Sequence, residues 1–155
     1  MTLNDKITQD LKDAMKSADK VRLQTIRSIR ASILEFEKIG TGKEMNGEEE
    51  IKLLSTAAKK RKESIEQFTN GGREDLAEAE EAELQIIMSY LPEQLSAEDI
   101  EKEVITIAGK IGAKSKADFG KLMGAAVKEM KGKADGRAIK EIVDKVLGEN
   151  CTRLI

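Results

Sequence analysis

Residues 51–91 read IKLLSTAAKKRKESIEQFTNGGREDLAEAEEAELQIIMSYL, and the way this stretch doubles back on itself decides the architecture. Ile51, Leu54, Ala58, Ile65 and Phe68 recur at helical spacing before the turn Asn70-Gly71-Gly72, and Leu76, Leu84, Ile87 and Leu91 do so after it. Pairing Ile51 with Leu91, Leu54 with Ile87, Ala58 with Leu84 and Ile65 with Leu76 gives residue numbers that add to 141 or 142 every time. A constant sum is the condition for an antiparallel helix hairpin, since each step forward on one helix answers one step back on the other. Arg61 and Glu80 fall in the gaps of the two stripes at the same sum. The register therefore predicts a structural ion pair there, which fixes the hairpin, in preference to a substrate site.

On the N-terminal side, Asn46 with Glu49 has capping-box spacing for the first arm of the hairpin. Further upstream, Thr2 with Asp5 opens a helix whose stripe is Leu3, Ile7, Leu11 and Met15. Asp19 caps a second helix with Ile26, Ile29, Ile33 and Phe36. On the C-terminal side, Pro92 disfavours helix at Leu91, and Ser96 with Asp99 starts again. Three short helices follow, with stripes Ile100, Val104, Ile107, Ile111; then Phe119, Leu122, Met123, Ala126, Met130 behind a Ser115–Asp118 cap; then Ile139, Ile142, Val143, Val146 behind Asp135. The expected fold is all-α: an N-terminal helical domain over 1–92 containing the long hairpin, a C-terminal three-helix bundle over 93–148, and a tail at 149–155.

Composition agrees with helix and removes much chemistry. The 155 residues hold one Pro, one Tyr, three Phe, no Trp and no His, with 36% charged side chains. Without histidine, the usual general base and commonest metal ligand is missing. One cysteine, Cys151, permits neither an internal disulfide nor a thiolate zinc site. No apolar run approaches the roughly 18 to 20 residues needed to cross a bilayer, and the opening MTLNDKITQDLKDAM has no signal-like apolar stretch. A cytoplasmic protein with no metal, cofactor or membrane partner is expected. The acidic run from Glu74 to Glu83 reads as a solvated helix face in keeping with the dipole.

Net charge is −2, but it is unevenly spread. Residues 1–91 carry 15 basic and 18 acidic side chains, a net of −3. Residues 110–140 carry nine basic and three acidic, a net of +6. Within FGKLMGAAVKEMKGKADGR, residues 119–137, a helical wheel puts Phe119, Leu122, Met123, Ala126 and Met130 on one face and Lys121, Gly124 and Lys128 on the other. Gly132 suits the end of this helix, which leaves Lys133 in the connection and Arg137 in the next first turn. Free amides there beside two cations suit a phosphate oxygen. A tight turn whose glycines serve packing explains the pattern as well, and from pattern alone it is the stronger reading. The segment is no P-loop, and with so few aromatics any nucleic-acid contact reads backbone shape and not bases.

Residues 59–96, KKRKESIEQFTNGGREDLAEAEEAELQIIMSYLPEQLS, followed by DFGKLMGAAVKEMKGKADG at 118–136, closely resemble the GatB/YqeY family. Its members are stand-alone proteins related to the tail domain of the B subunit of the glutamine-dependent aminoacyl-tRNA amidotransferase. The resemblance spans essentially the whole chain. It implies a helical N-terminal region, a C-terminal three-helix bundle and a connection with tRNA, which the amidotransferase tail contacts. It also implies a family link to carbon-nitrogen ligase activity with glutamine as amido-N-donor. The catalytic cradle of that enzyme lies upstream of the tail and has no counterpart here, so no activity is expected of the chain alone.

The resulting expectation is a tRNA-binding accessory protein. Its RNA-facing surface would be Lys121, Lys128, Lys131, Lys133 and Arg137, with Lys116 and Lys140 at the rim. The alternative is a protein-interaction module that docks on an amidotransferase or aminoacyl-tRNA synthetase through an apolar groove between its halves.

Overall fold

The computed structural model describes residues 1–40 and 42–153, with side chains through Gly148. The described residues form seven α-helices and no strand: α1 Leu3–Ser17, α2 Lys20–Ile39, α3 Gly47–Asn70, α4 Glu74–Met88, α5 Ala97–Ile111, α6 Phe119–Glu129 and α7 Gly136–Arg153, with a 3-10 turn at Lys116–Asp118. The chain divides into two compact units, Met1–Pro92 and Glu93–Ile155.

In the first unit the caps are those the sequence offers. Thr2 and Asp5 bond reciprocally at the start of α1, Asn46 and Glu49 do so at the start of α3, and Asp19 accepts the Arg22 N–H at the start of α2. The Leu3 N–H also donates to Glu50 Oε1 at 3.1 Å, which ties the first turn of α1 to α3. The α3–α4 turn is a Schellman arrangement: the Arg73 N–H donates to Phe68 O at 2.8 Å and the Gly72 N–H to Thr69 O at 3.2 Å. It requires φ = +72° at Gly72, a conformation without penalty only for glycine. From this turn α4 runs back along α3, and Leu54, Ala58, Leu84 and Ile87 are buried in one core with Leu3, Ile7, Ala14, Ile26, Ile29 and Ile33.

The second unit has its own core of Ile100, Val104, Ile107, Ala108, Ala113, Leu122, Ala126, Met130, Ile139, Val143, Val146 and Leu147. Each helix contributes one stripe, and Phe119, Met123 and Ile142 pack against the cluster from its edge. The α7 helix continues through Arg153, so the tail read at 149–155 is helical as far as 153.

Three residues assigned to the core are exposed instead. Met15 is 59% exposed because strict four-residue steps drift about 40° each around a helix, and Ala14 takes the inward place. Phe36 lies toward the side of α2 that faces α3 across an open groove and is left 38% exposed there. Ile111 is the last residue of α5, directly before the left-handed Gly112, and Ala113 beyond the turn is buried in its stead.

Candidate nucleic-acid interface

The basic stretch of the second unit begins with a tightly held turn. The Asp118 carboxylate accepts the N–H groups of Lys114 at 2.9 Å and Ser115 at 3.3 Å, which holds its carboxyl below the usual carboxylate range. This locks the 3-10 turn carrying Lys116 onto the start of α6. Along α6, Leu122 and Ala126 are fully buried while Lys121, Gly124 and Lys128 are exposed on the opposite face. Lys121 and Lys128 are seven residues apart, which puts them nearly in line, about 10 Å apart along the helix.

Beyond Met130 the chain turns through Gly132 at φ = +78°. The Lys133 and Ala134 N–H groups return to Met130 O at 2.9 and 3.1 Å. Two carbonyls of this turn are taken by the segment that opens the unit: the Leu95 N–H donates to Lys133 O at 2.8 Å, and Gln94 Nε2 donates to Gly132 O at 2.7 Å. The backbone that carries Lys131 and Lys133 is thereby fixed while both side chains remain exposed. Asp135 then opens α7, accepting the Arg137 N–H on Oδ1 at 3.3 Å and the Ile139 N–H on its carbonyl at 3.0 Å. Arg137 and Lys140 are exposed on the first two turns.

All seven basic residues singled out by the sequence are thus exposed. Lys121 and Lys128 share one face of α6, and Lys131, Lys133 and Arg137 follow through the turn into the next helix. The structure does not make an unbroken basic stripe of α7, because Glu141 and Asp144 stand one turn after Arg137 and Lys140 and are exposed beside them. Phe119, the aromatic of the second unit, packs against the core and offers no stacking platform. The turn presents exposed cations on a backbone held by hydrogen bonds, the type of group that meets phosphate oxygens and not base edges.

In the first unit, Arg61 Nη1 lies 2.9 Å from Glu80 Oε2, and Arg61 Nη2 lies 2.8 Å from Glu83 Oε2. Sequence reasoning missed Glu83, although it follows Glu80 by three residues and so shares its helix face. It also missed Gln94, whose bond to Gly132 spans 38 residues and has no local signature. A second polar cluster went unread as well: the Tyr90 hydroxyl donates to Asp10 Oδ2 at 2.6 Å, and Lys6 Nζ stands 5.3 Å from the centre of the Tyr90 ring. Among the described residues no group of three His, Cys, Asp or Glu side chains is placed to hold a metal ion, and no helix is long and apolar enough to cross a membrane. Cys151 lies outside the residues whose side chains are described.

Several curated relatives of the chain are fungal proteins. A protein of Pyrenophora tritici-repentis named altered inheritance of mitochondria protein 41, mitochondrial, is 32% identical over 127 residues, which is 81% of this chain and 69% of the relative. The protein of the same name from Lachancea thermotolerans is 39% identical over 85 residues, 55% of this chain and 46% of the relative. The match thus spans between about half and two thirds of these relatives' own lengths. The family model described as Yqey-like protein matches residues 4–147, taking in the hairpin, the segment around Gln94 and the basic turn. With nearly the whole described chain inside that match, the protein belongs to the YqeY-like family.

Proposed function

We propose that this protein is a tRNA-binding accessory protein, acting through the basic surface between Lys116 and Lys140. The observation that carries the reading is the disposition of Lys121, Lys128, Lys131, Lys133 and Arg137: all exposed, within 17 residues, on a backbone fastened at Asp118, Gly132 and Asp135. A net charge of +6 over residues 110–140, in a chain whose total is −2, concentrates positive potential on this stretch of the unit. Cations aimed outward from rigid backbone, with the nearby aromatic turned inward, suit a partner recognised by its phosphate backbone and shape.

The reading assigns no chemistry to the chain by itself. Amidation of an aminoacyl-tRNA needs a nucleotide site and an ammonia source, and the reading gives this chain a binding role alone. Any part in glutamine-dependent amidation would be played alongside an amidotransferase or a synthetase. The reading places the protein in the cytoplasm. The mitochondrial names of the fungal relatives belong to those proteins, and the same surface would serve in either compartment.

Titration of unmodified tRNA at two salt concentrations tests the proposal. If about five phosphates are neutralised, affinity falls by about two to three orders of magnitude between 50 and 200 mM salt. No complex at the lower salt, or a complex indifferent to salt, would remove the basis of the reading.

A further inference from the structure

We propose that the groove between α2 and α3 is a berth for one amphipathic helix of another protein, with an apolar stripe and acidic residues along the flank that meets α3. The groove has a volume of about 780 Å³ and is lined lengthwise by one face of α2, from Thr25 to Ile39, and one face of α3, from Glu49 to Ser64, with Ile87 of α4 beneath. Fifteen residues of wall at 1.5 Å each make it about 22 Å long, the length of four helical turns. Its floor residues Ile29 and Ile87 are almost fully buried, whereas Phe36 and Ile39 on the rim are 38% and 80% exposed. Both rim side chains are large apolar groups that a seated helix would take out of water.

The middle of the groove looks polar by composition and behaves otherwise. Thr25 Oγ1 donates to Val21 O at 2.8 Å, Ser32 Oγ to Ser28 O at 3.2 Å, and Thr56 Oγ1 to Lys52 O at 2.8 Å. These three hydroxyl protons are spent on the helices' own carbonyls, so Thr25, Ser32 and Thr56 can meet an apolar partner without stranding a donor. Because Ser28, Ser32 and Ala57 are short, a rounded helix can settle between the walls.

Charge selects the partner. Arg61 is paired with Glu80 and Glu83, and Glu49 caps its own helix by accepting the Asn46 N–H. Among the described residues the ammonium groups of Lys52 and Lys60 have no ion-pair or hydrogen-bond partner. They stand about 12 Å apart along one rim, a spacing met by carboxylates two turns apart on a docked helix. Glu35 stands on the opposing wall, so the unpaired positive charge lies on the α3 rim alone, and it is to that rim that a docked helix presents its carboxylates.

The test uses the full chain, labelled with nitrogen-15, and a synthetic 18-residue helical peptide with leucines at three- and four-residue steps and glutamates two turns apart along one flank. A peptide with lysine in place of each glutamate and the fatty acid laurate serve as the competing titrants. The expected result is shifts confined to amides of α2 and α3, such as Ser32 and Ala57, with the glutamate peptide binding at least about tenfold tighter than the lysine peptide. Lys52→Glu with Lys60→Glu should reverse that preference, and Ser32→Trp should block binding with the helical circular-dichroism signal intact. Four outcomes would overturn the proposal: no shifts at millimolar peptide, no preference between peptides, shifts with laurate alone, or the same amides responding to protein concentration alone. The last two would identify a lipid site and a self-association surface. None of these results depends on whether tRNA binds the second unit.

Discussion

Arg61 on α3 reaches Glu80 on α4 at 2.9 Å, and its other terminal nitrogen closes on Glu83 at 2.8 Å. One guanidinium thus bridges two carboxylates one turn apart, at the level where the apolar seam of the hairpin is interrupted. The three side chains retain 29, 20 and 16% of their exposure, so the cluster is neither fully desolvated nor loosely solvated.

The two sides of that cluster should differ in cost. Arg61→Ala leaves two carboxylates facing each other and should lower stability by about 1 to 3 kcal/mol, below the figure for a fully buried pair because water reaches the site. Glu80→Ala leaves Arg61 with Glu83 and should cost about half as much. Urea unfolding monitored by circular dichroism measures both, and the double variant should lose less than the two single losses combined. Equal costs for the two single variants would mean that Glu83 carries no share.

Charge reversal at Lys121 and Lys128 is the direct probe of the proposed RNA surface. Replacing both with Glu should weaken tRNA binding by about tenfold or more and flatten the salt dependence, with helical content unchanged because neither contributes to the core. Gel-shift assays at two salt concentrations report both quantities. Unchanged affinity would place the RNA contact elsewhere.

Tyr90 is the chain's one tyrosine, and tryptophan is absent, so the tyrosinate band in the near ultraviolet reports on it alone. Burial, and then the bond donated to Asp10, push its phenol well above the ordinary value near 10. The stabilisation this represents is present below the unfolded value and lost as pH rises through the folded one. Alkaline titration should therefore show tyrosinate appearing late, together with loss of structure. Asp10→Asn should bring the transition down without restoring it fully, since burial remains. A folded-state transition at pH 10 in the parent protein would contradict the Tyr90–Asp10 contact.

Asp118 titrates in the opposite sense. The amides of Lys114 and Ser115 depress its folded value below 3.8, so its contribution is present above that value and disappears as pH falls through the lower folded value. The stability gap between the parent protein and Asp118→Asn should be constant above about pH 5 and close in stronger acid. A gap independent of pH would show that the carboxylate charge is not what holds the turn.

Much of this arrangement is legible in residue order because helices repeat and caps are local. Thr2, Asp19, Asn46 and Ser96 announce their helices by type and spacing, and the pairing of α3 with α4 follows from two stripes and one turn. Lys121 and Lys128 are readable as exposed because Leu122 and Ala126 claim the other face. The limits are equally physical. A four-residue repeat misplaces Met15 because it drifts off a 3.6-residue helix. The exposure of Phe36 depends on how closely α2 approaches α3, a tertiary distance with no local signal. The bond from Gln94 to Gly132 joins an irregular segment to a turn, and neither has a period to betray the other.

That bond and its neighbour from Leu95 to Lys133 O have a consequence for anyone dividing the chain. Ser96 is the visible beginning of α5 and the natural place to start an excised C-terminal piece. A piece starting there would strip the donors from the Gly132 and Lys133 carbonyls and loosen the basic turn, so a fragment made to study that turn has to begin no later than Glu93.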